Sequence, residues 1–186
     1  SIDFSLTPEL EEIRARIRVF IDDVVKPGEA LIEGHGEHDP QEGGERIETL
    51  ISMRKQAFSE GLWLPHMPEE WGGMGLGHVQ LAMVQAEAAR SRYGPWVLNC
   101  QAPDEGNMHT LLHWGTDEQK EKYLQPLCDG KGTSCFAMTE PEVAGSDPTL
   151  IRTTGYQDGE EWVINGHKWF ISNAHRAQFA ILIART

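Results

Sequence analysis

The chain has 186 residues, of which 39% are hydrophobic and 24% charged, so a buried core is expected and global disorder is excluded. Its 16 Lys and Arg against 29 Asp and Glu leave a formal net charge of −13. Nucleic acid is therefore a poor partner, because phosphate binding needs clustered basic side chains. No positively charged leader opens the chain and no apolar run reaches the length of a membrane span, which predicts a soluble protein.

The three cysteines, Cys100, Cys128 and Cys135, are odd in number and lack the spacing of metal ligands. This usage is typical of reduced, buried thiols. We therefore expect a cytoplasmic protein, or a mitochondrial or peroxisomal one in a eukaryote.

The first predicted helix begins at Leu6-Thr7-Pro8, where Thr7 is the N-cap and Pro8 takes the first helical position. Apolar residues then recur at helical spacing over residues 10–24. Because proline lacks a backbone donor, this pattern predicts a helix that ends before Pro27.

The segment Gly28–Gly44 is rich in Gly, Glu, His, Asp and Pro and has no periodicity, which predicts an exposed loop. His35, His38 and Asp39 in this loop are residue types that bind metals. They lack a fourth ligand and a regular spacing, so a solvated acidic loop is the preferred interpretation.

A second amphipathic helix is predicted over residues 47–58, with Gly61 ending it. Residues 62–77 hold too much Pro and Gly for regular structure and too many apolar side chains for a flexible linker, which indicates a packed connection. Its Gly-rich run lacks the Lys-Ser/Thr ending of a phosphate loop.

Residues 79–92 are apolar on most sides and predict a helix in the middle of a bundle, ended by Tyr93-Gly94-Pro95.

A further helix is predicted from about Asp104 to Gly115. His109 and His113 lie four residues apart and share one face of it, as a pair of metal ligands would. The Glu of a zinc-protease motif is absent, so structural or surface imidazoles are the preferred interpretation.

Thr116-Asp117-Glu118-Gln119 is a capping box, and the helix that it starts is predicted to end at Pro126. Beyond residue 130 the apolar period changes from that of a helix to that of a strand. A new domain is therefore expected near this position.

Five strands are predicted in the last third of the chain, over residues 133–138, 150–155, 161–164, 168–172 and 179–184. Asp158-Gly159 and Asn165-Gly166 are hairpin signals, so an antiparallel sheet is expected. The last strand is apolar on both faces and is expected to be central, with neighbours that these residues do not supply. The predicted fold class is α+β, an N-terminal all-α helical bundle followed by an incomplete antiparallel β domain, in a truncated product, a fragment or one half of a split protein.

Two motifs carry the candidate site. The first motif follows a short apolar strand and consists of Thr139-Glu140-Pro141 and Ala144-Gly145-Ser146-Asp147. It exposes hydroxyls and backbone N–H groups, which can bind the polar edge of a ring or a phosphate. In the second motif, residues 165–173, a turn leads into an aromatic-rich strand on which Phe170 and Ser172 share one face and Trp169 and Ile171 the other. Together the motifs predict a planar heterocycle as ligand.

These two motifs resemble the flavin-binding signature of the acyl-CoA dehydrogenase family. Pro68-Glu69-Glu70 with Gly72-Gly73-x-Gly75, and the capping-box helix of residues 115–130, are also similar to it, and the similar patches follow the family order from about residue 6 to residue 184. The resemblance implies a helical domain over residues 1–131 and the first part of a flavin-binding middle β domain over residues 132–186. It also implies a missing C-terminal helical domain.

FAD is the cofactor that the resemblance implies. The residues implied to line the flavin are Phe136, Met138, Thr139, Gly145, Ser146, Phe170, Ile171 and Ser172, and Ser146 is also implied to touch the acyl-CoA substrate. The family commonly has Trp in place of Phe170 and Thr in place of Ser172, and both departures keep an aromatic face and a hydroxyl. The turn Pro141-Glu142-Val143-Ala144 is one residue longer than the usual Pro-Gly-Ala, which can move the Ser146 hydroxyl.

Glu140 invites the role of catalytic base. The base of the family lies much later in the chain, so a carboxylate that pins the turn is the preferred interpretation. No catalytic residue is assigned within these 186 residues, and no metal is expected.

The reaction that the resemblance implies is α,β-dehydrogenation of an acyl-CoA thioester, as in the β-oxidation of fatty acids. A carboxylate removes the α-proton while the β-hydrogen leaves as hydride to flavin N5. Electron-transfer flavoprotein is the expected acceptor, and a homodimer or homotetramer is expected. Two alternatives stay open: an acyl-CoA oxidase of the same superfamily, and a non-catalytic subunit or interaction fragment. The 186-residue piece alone is expected to bind FAD weakly or not at all.

Overall fold

The computed structural model describes residues 5–34 and 40–186, without the side chains of residues 34 and 40–43. The chain forms two compact units, residues 1–101 and residues 102–186, which are described in turn. His35, His38 and Asp39 lie outside the described residues. Within the described ranges, no helix is both long enough and apolar enough to cross a membrane.

The first unit is helical. Its helices are α1 (Pro8–Phe20), α2 (Lys26–Gly34), α3 (Pro40–Ser59), α4 (His78–Ala88) and α5 (Gly94–Val97), with a 3₁₀ turn at Glu69–Trp71. The predicted start of α1 is confirmed, because the Thr7 side chain accepts a hydrogen bond from Leu10 N and Pro8 lies in the first turn. Helix α1 packs against α4. The core consists mainly of aliphatic side chains together with the ring of Phe20, and the aliphatic ones include Ile17, Ile21, Val25, Ile32, Leu62, Leu64 and Val84.

The predicted helix end before Pro27 is wrong. The backbone runs from α1 through a π-helical turn, Ile21–Val25, into α2, which contains Pro27. In a regular α-helix the proline ring collides with the carbonyl four residues earlier. The wider π turn, in which Lys26 N donates to Ile21 O, accommodates the proline within a continuing helix.

The predicted exposed loop over Gly28–Gly44 is also wrong where the structure describes it. Residues 28–34 are helical, and α3 already begins at Pro40. A side chain at Gly28 would meet Met53 Sδ at 2.4 Å, so the helices could not approach this closely with a larger residue at this position. The glycine that weakens the helical pattern in the sequence therefore permits close packing against α3.

The predicted end of α3 is confirmed. Gly61 has a positive φ of 70° and donates to Phe58 O, while Leu62 N reaches Ala57 O at 2.9 Å. This is the Schellman arrangement, which requires a left-handed backbone conformation that glycine adopts without steric cost. The predicted packed connection over residues 62–77 is confirmed in its first part, where Leu62, Trp63, Leu64, Pro65, His66 and Met67 are all buried, whereas residues 68–77 are half-buried or exposed.

Helix α4 departs from its prediction. It ends at Ala88 rather than near residue 92, and within the described part of the chain its buried side chains, Val84, Glu87 and Ala88, share one face. Val79 is exposed on the other side. Several of its apolar residues are alanines distributed around the helix, so the sequence shows hydrophobicity without showing which face is buried.

The second unit begins with α6 (Asp104–Trp114), which ends at Gly115 as predicted. Helix α7 (Asp117–Gln119) begins with the predicted capping box, because Gln119 N donates to Thr116 Oγ1 and the Gln119 side chain accepts from Thr116 N. The predicted end at Pro126 is wrong. A π turn, Lys120–Leu124, leads into α8 (Gln125–Cys128), which contains Pro126 in the same way that α2 contains Pro27.

Four strands form two small sheets in this unit: β1 (Ser134–Ala137), β2 (Thr154–Asp158), β3 (Glu161–Asn165) and β4 (Phe179–Leu182). Strands β2 and β3 are antiparallel, which confirms the Asp158-Gly159 hairpin. Strands β1 and β4 are instead parallel, with Phe136 opposite Ile181, so the expected antiparallel arrangement holds only for the hairpin. In the described chain β4 pairs with β1 and is partly exposed, and just beyond it Arg185 forms a parallel bridge with Thr154 at the start of β2. Its expected position as a central strand, with neighbours outside these residues, stays a prediction.

Two other strand predictions are corrected. Residues 168–172 form no strand, so Asn165-Gly166 is not a hairpin turn. The strand predicted over residues 150–155 is shifted along the chain, because residues 148–150 form a 3₁₀ turn and β2 begins only at Thr154. The physical reason lies in the backbone, because Phe170 and Asn173 have positive φ values of 52° and 69°. Left-handed residues interrupt an extended chain. The predicted fold class, helices followed by a partial β region, is nevertheless confirmed.

Candidate functional site

The structure brings the two sequence motifs together in the second unit. The first motif follows β1, and the second forms the irregular segment after β3. Trp169 N donates to Thr139 O at 3.1 Å, and Lys168 Nζ donates to Met138 O at 2.7 Å. Residues 138–139 and 168–169 therefore lie side by side.

Glu140 forms the centre of a buried hydrogen-bonded cluster and is only 2% exposed. Its Oε2 accepts from Arg152 N at 2.7 Å. Its Oε1 accepts from Thr153 N at 2.8 Å, from Thr153 Oγ1 at 2.5 Å and from Lys168 Nζ at 2.9 Å. The carboxylate thus joins the turn after β1, the approach to β2 and the segment after β3, which is the turn-pinning role preferred from the sequence.

The charge state of Glu140 follows from these contacts. Burial alone would raise the pKa of this carboxyl, but hydrogen bonds from Thr153 and Lys168 and from the backbone N–H groups of Arg152 and Thr153 outweigh burial and lower the pKa to about 2. A carboxylate that holds its charge so firmly is a weak proton acceptor near neutral pH. Glu140 is therefore better suited to holding the turn in place than to accepting a proton.

An exposed aromatic pair lies next to this cluster. The rings of Trp169 and Phe170 are 4.4 Å apart at their centroids and inclined by 36°. Phe170 is 81% exposed, whereas Trp169 is half exposed. Because residues 168–172 are not a strand, the predicted alternation of faces does not apply, and the positive φ of Phe170 sets the direction of its ring instead. The pair offers a flat apolar surface to a ligand.

Three hydroxyl groups of the predicted site are available to a ligand. Thr139 is half-buried, and Ser146 and Ser172 are exposed. In the part of the chain that the structure describes, none of the three side chains is held by an intramolecular hydrogen bond. Gly145 lies beside Thr139, since a side chain at Gly145 would come within 3.5 Å of Thr139 Cγ2.

The remaining predicted residues are more dispersed. Phe136 lies on β1, partly exposed, and is paired with Ile181 of β4. Met138 and Ile171 are half-buried. The structure thus brings Thr139 next to Gly145 and to the backbone of Trp169, and Met138 next to Lys168. Ile181 also lines a groove of about 320 Å³ with aromatic walls, formed mainly by Trp114, Tyr123 and Phe179.

A second buried cluster anchors β1. Asp104 Oδ1 accepts from Ser134 N at 2.7 Å and from Ser134 Oγ at 2.6 Å. Asn107 Nδ2 donates to Ser134 Oγ at 2.8 Å and to Cys135 O at 3.1 Å. Every partner in this cluster is buried, so α6 fixes the strand from which the candidate site begins.

Sequence reasoning missed Thr153 and Lys168 as members of the site. Lys168 lies inside the second motif, and its position beside a glycine turn was the available signal. Thr153 carried no signal, because its bond to Glu140 spans 13 residues through space.

Among the described residues, the candidate histidines His109 and His113 and the three cysteines form no second site. The rings of His109 and His113 stack at 6.2 Å on α6, and no group of three metal-ligating side chains occurs among the described residues. Burial raises the pKa of the Cys128 thiol to about 12 and also raises that of Cys135. Protonated buried thiols are poor nucleophiles.

Comparison with known proteins assigns both parts of the chain. Residues 7–131 match the family described as acyl-CoA dehydrogenase, N-terminal domain, and residues 135–186 match acyl-CoA dehydrogenase, middle domain. The chain is similar to the human acyl-CoA dehydrogenase family member 11, with 36% identity over 188 residues that cover 98% of this chain and 24% of that protein.

Solved structures agree with this assignment. A Mycobacterium abscessus structure assigned to the acyl-CoA dehydrogenases has 36% identity and a TM-score of 0.78, covering 90% of this chain and 43% of that one. A Mycobacterium smegmatis glutaryl-CoA dehydrogenase solved with FADH2 has 27% identity and a TM-score of 0.70, covering 96% of this chain and 43% of that one. The chain thus spans less than half the length of the relatives it matches.

Proposed function

The chain belongs to the acyl-CoA dehydrogenase family, and from this premise we propose that it forms the helical and flavin-contacting part of an FAD-dependent acyl-CoA dehydrogenase. The proposed division is a helical domain over residues 1–131 and the first part of a flavin-binding domain over residues 132–186. The observation that carries the proposal is the meeting of the two motifs, held by Trp169 N on Thr139 O and by Lys168 on Met138 O.

The residues present fit a flavin. A planar, partly polar ring system needs a flat apolar contact and hydrogen-bonding groups at its rim. The exposed Trp169–Phe170 pair supplies the first, and the hydroxyls of Thr139 and Ser172 supply the second. Gly145 leaves room beside Thr139 on the first motif. When bound, FAD supplies the redox chemistry, by accepting a hydride from the β-carbon of the substrate.

We propose separate tasks for the residues of this chain. Thr139 and Ser172 donate or accept hydrogen bonds at the polar rim of the flavin, Phe170 contacts its flat face, and Met138 and Ile171 exclude water. Phe136 extends the apolar contact along β1. Gly145 and Ser146 form the turn that faces both the flavin and the acyl-CoA substrate.

The base that removes the α-proton is proposed to lie outside these 186 residues. Glu140 is the buried carboxylate of the described site, and its oxygens already accept four hydrogen bonds, including one from Lys168. Its pKa of about 2 makes it a poor acceptor for a carbon-bound proton.

Electron-transfer flavoprotein is the proposed electron acceptor, and a homodimer or homotetramer is the proposed assembly.

The test is an absorption spectrum of the purified natural protein, followed by anaerobic titration with a panel of acyl-CoA thioesters. We expect a flavin spectrum and bleaching of its long-wavelength band by at least one thioester. Mixing the reduced protein with electron-transfer flavoprotein is expected to restore the band quickly, whereas rapid peroxide formation in air would instead support an acyl-CoA oxidase. A protein that binds no flavin would support the non-catalytic alternative.

A matched pair of aromatic variants locates the binding surface. Phe170→Ala removes the most exposed ring of the proposed site, and Trp162→Ala removes an exposed ring from β3 in the same unit. We expect Phe170→Ala to weaken FAD binding about tenfold and Trp162→Ala to leave it unchanged. Equal behaviour of the two variants would contradict the proposed location.

A further inference from the structure

We propose that Lys168 is the positioning residue of the flavin site, because its ammonium group fastens the aromatic segment of residues 169–170 onto residues 138–139. This inference rests on the proposed function. It assigns to Lys168 a role in placing other residues, and it requires no contact between Lys168 and the flavin.

The contacts of Lys168 point inward to the protein. Its side chain is 10% exposed, although lysine side chains normally extend into solvent. Nζ donates to Met138 O at 2.7 Å and to Glu140 Oε1 at 2.9 Å. One ammonium group on the second motif therefore binds both Met138, which directly precedes the first motif, and Glu140 within that motif.

The segment that Lys168 holds has little regular structure of its own. Over residues 166–172, the described backbone makes a single hydrogen bond to another part of the chain, from Trp169 N to Thr139 O. Lys168 immediately precedes that residue, and Phe170 follows it with a positive φ. Two adjacent residues thus carry the attachment, so the position of the Phe170 ring depends on them.

Gly166 supplies an independent observation. A side chain at Gly166 would come within 2.2 Å of Thr153 Oγ1, the hydroxyl that donates to Glu140. The segment can therefore pass over Thr153 only because this residue is glycine. The close passage brings Lys168 down onto Glu140, and Gly166, Thr153, Glu140 and Lys168 form one interlocked cluster.

The opposite charges in this cluster depend on each other. Glu140 is buried and ionised, and Lys168 is its cationic partner. Removing one partner of a buried ion pair leaves the other charge uncompensated, whereas removing both charges together costs much less. A double variant can therefore separate charge balance from positioning.

The first experiment compares Lys168→Met with Lys131→Met in the natural, flavin-loaded protein. Lys131 is an exposed lysine of the same unit whose partner is Asp129. The measurements are the FAD dissociation constant and the visible circular dichroism of the bound flavin. We expect Lys168→Met to weaken FAD binding at least about tenfold and to change the circular dichroism of the flavin that stays bound. The Lys131→Met protein is expected to keep the wild-type FAD affinity and dichroism.

The second experiment uses the double variant Glu140→Gln with Lys168→Met, which guards against simple misfolding. We expect it to regain resistance to urea relative to Lys168→Met while FAD binding stays weak, because charge balance returns but the bond to Met138 O does not. Recovery of FAD affinity and dichroism in the double variant would overturn the positioning role, as would a Lys168→Met protein with wild-type flavin properties. If the wild-type protein binds no FAD, the proposed function itself fails, which is a distinguishable outcome.

Discussion

Each unit of the molecule contains a buried carboxylate paired with a cation, and the two pairs do different work. In the helical unit, Glu87 of α4 accepts from both Nε and Nη2 of Arg18 on α1. In the second unit, Glu140 accepts from Lys168 and from three further donors. The side chain of Arg18 is 50% exposed, whereas that of Lys168 is 10% exposed.

The difference lies in what each carboxylate holds together. Helices α1 and α4 also bury apolar side chains such as Ile17, Val84 and Ala88, so their packing does not depend on the Arg18 pair alone. The residues around Glu140 lie in turns and loops outside the four strands, and few backbone hydrogen bonds, such as Arg185 N to Thr153 O and Trp169 N to Thr139 O, align them. An ion pair between regular elements adds stability, whereas an ion pair between irregular segments also determines the shape of a site.

The largest effect is expected from Glu140→Gln. The amide presents an NH2 group to donors, so at least one of the hydrogen bonds from Arg152 N, Thr153 and Lys168 is lost, and the Lys168 charge is left without its partner. We expect the urea midpoint of the second unit to fall by about 1 M or more and FAD binding to be lost. Urea titration followed by tryptophan fluorescence, with FAD binding measured in parallel, checks both expectations.

The control for this variant is Glu142→Gln. Glu142 lies two residues along, its side chain is half-exposed, and its ion-pair partner among the described residues is the exposed His167, at 3.6 Å. Surface pairs of this kind contribute little to stability. A Glu142→Gln protein that lost as much stability as Glu140→Gln would show that the region is sensitive to any loss of charge.

A smaller effect is expected from Glu87→Gln. The amide keeps one acceptor for Arg18, and the exposed part of Arg18 can still be solvated by water. We expect the urea midpoint of the helical unit to fall by about 0.5 M, with FAD affinity unchanged to within about twofold. Loss of flavin binding in this variant would break the contrast drawn between the two carboxylates.

Local chemistry explains which features of the fold could be predicted. The caps at Thr7, Gly61 and Thr116 depend on residues within one helical turn, and each is confirmed. The ends assigned to Pro27 and Pro126 are wrong, because a preceding π turn accommodates the proline and no residue type announces that turn. Sequence patterns thus report short-range hydrogen bonding well and helix irregularities poorly.

The candidate site shows the same limit at longer range. Strand alternation suggested directions for Phe170 and Ser172, but the backbone there is set by the attachment of Lys168 and Trp169 to residues 138–140. The pairing of Glu140 with Thr153 connects residues with no shared pattern in the chain. Motif resemblance could propose which residues belong to the site, whereas tertiary contacts determine how those residues are placed.

The smallest expected effect is a difference in acid sensitivity. The pKa of Glu140 is near 4.5 in the unfolded chain and about 2 in the folded protein, so the unfolded state binds more protons between these values. Its stabilising contribution is therefore complete above about pH 4.5 and is lost as the pH falls toward 2. We expect Glu140→Gln to flatten the decline of the urea midpoint between neutral pH and about pH 3. The pKa of Glu87 is also lowered, by the hydrogen bond from Arg18, so Glu87→Gln serves as the comparison. An acid profile of the second unit that is identical in wild type and Glu140→Gln would show that Glu140 is not the buried charge whose protonation loosens the site.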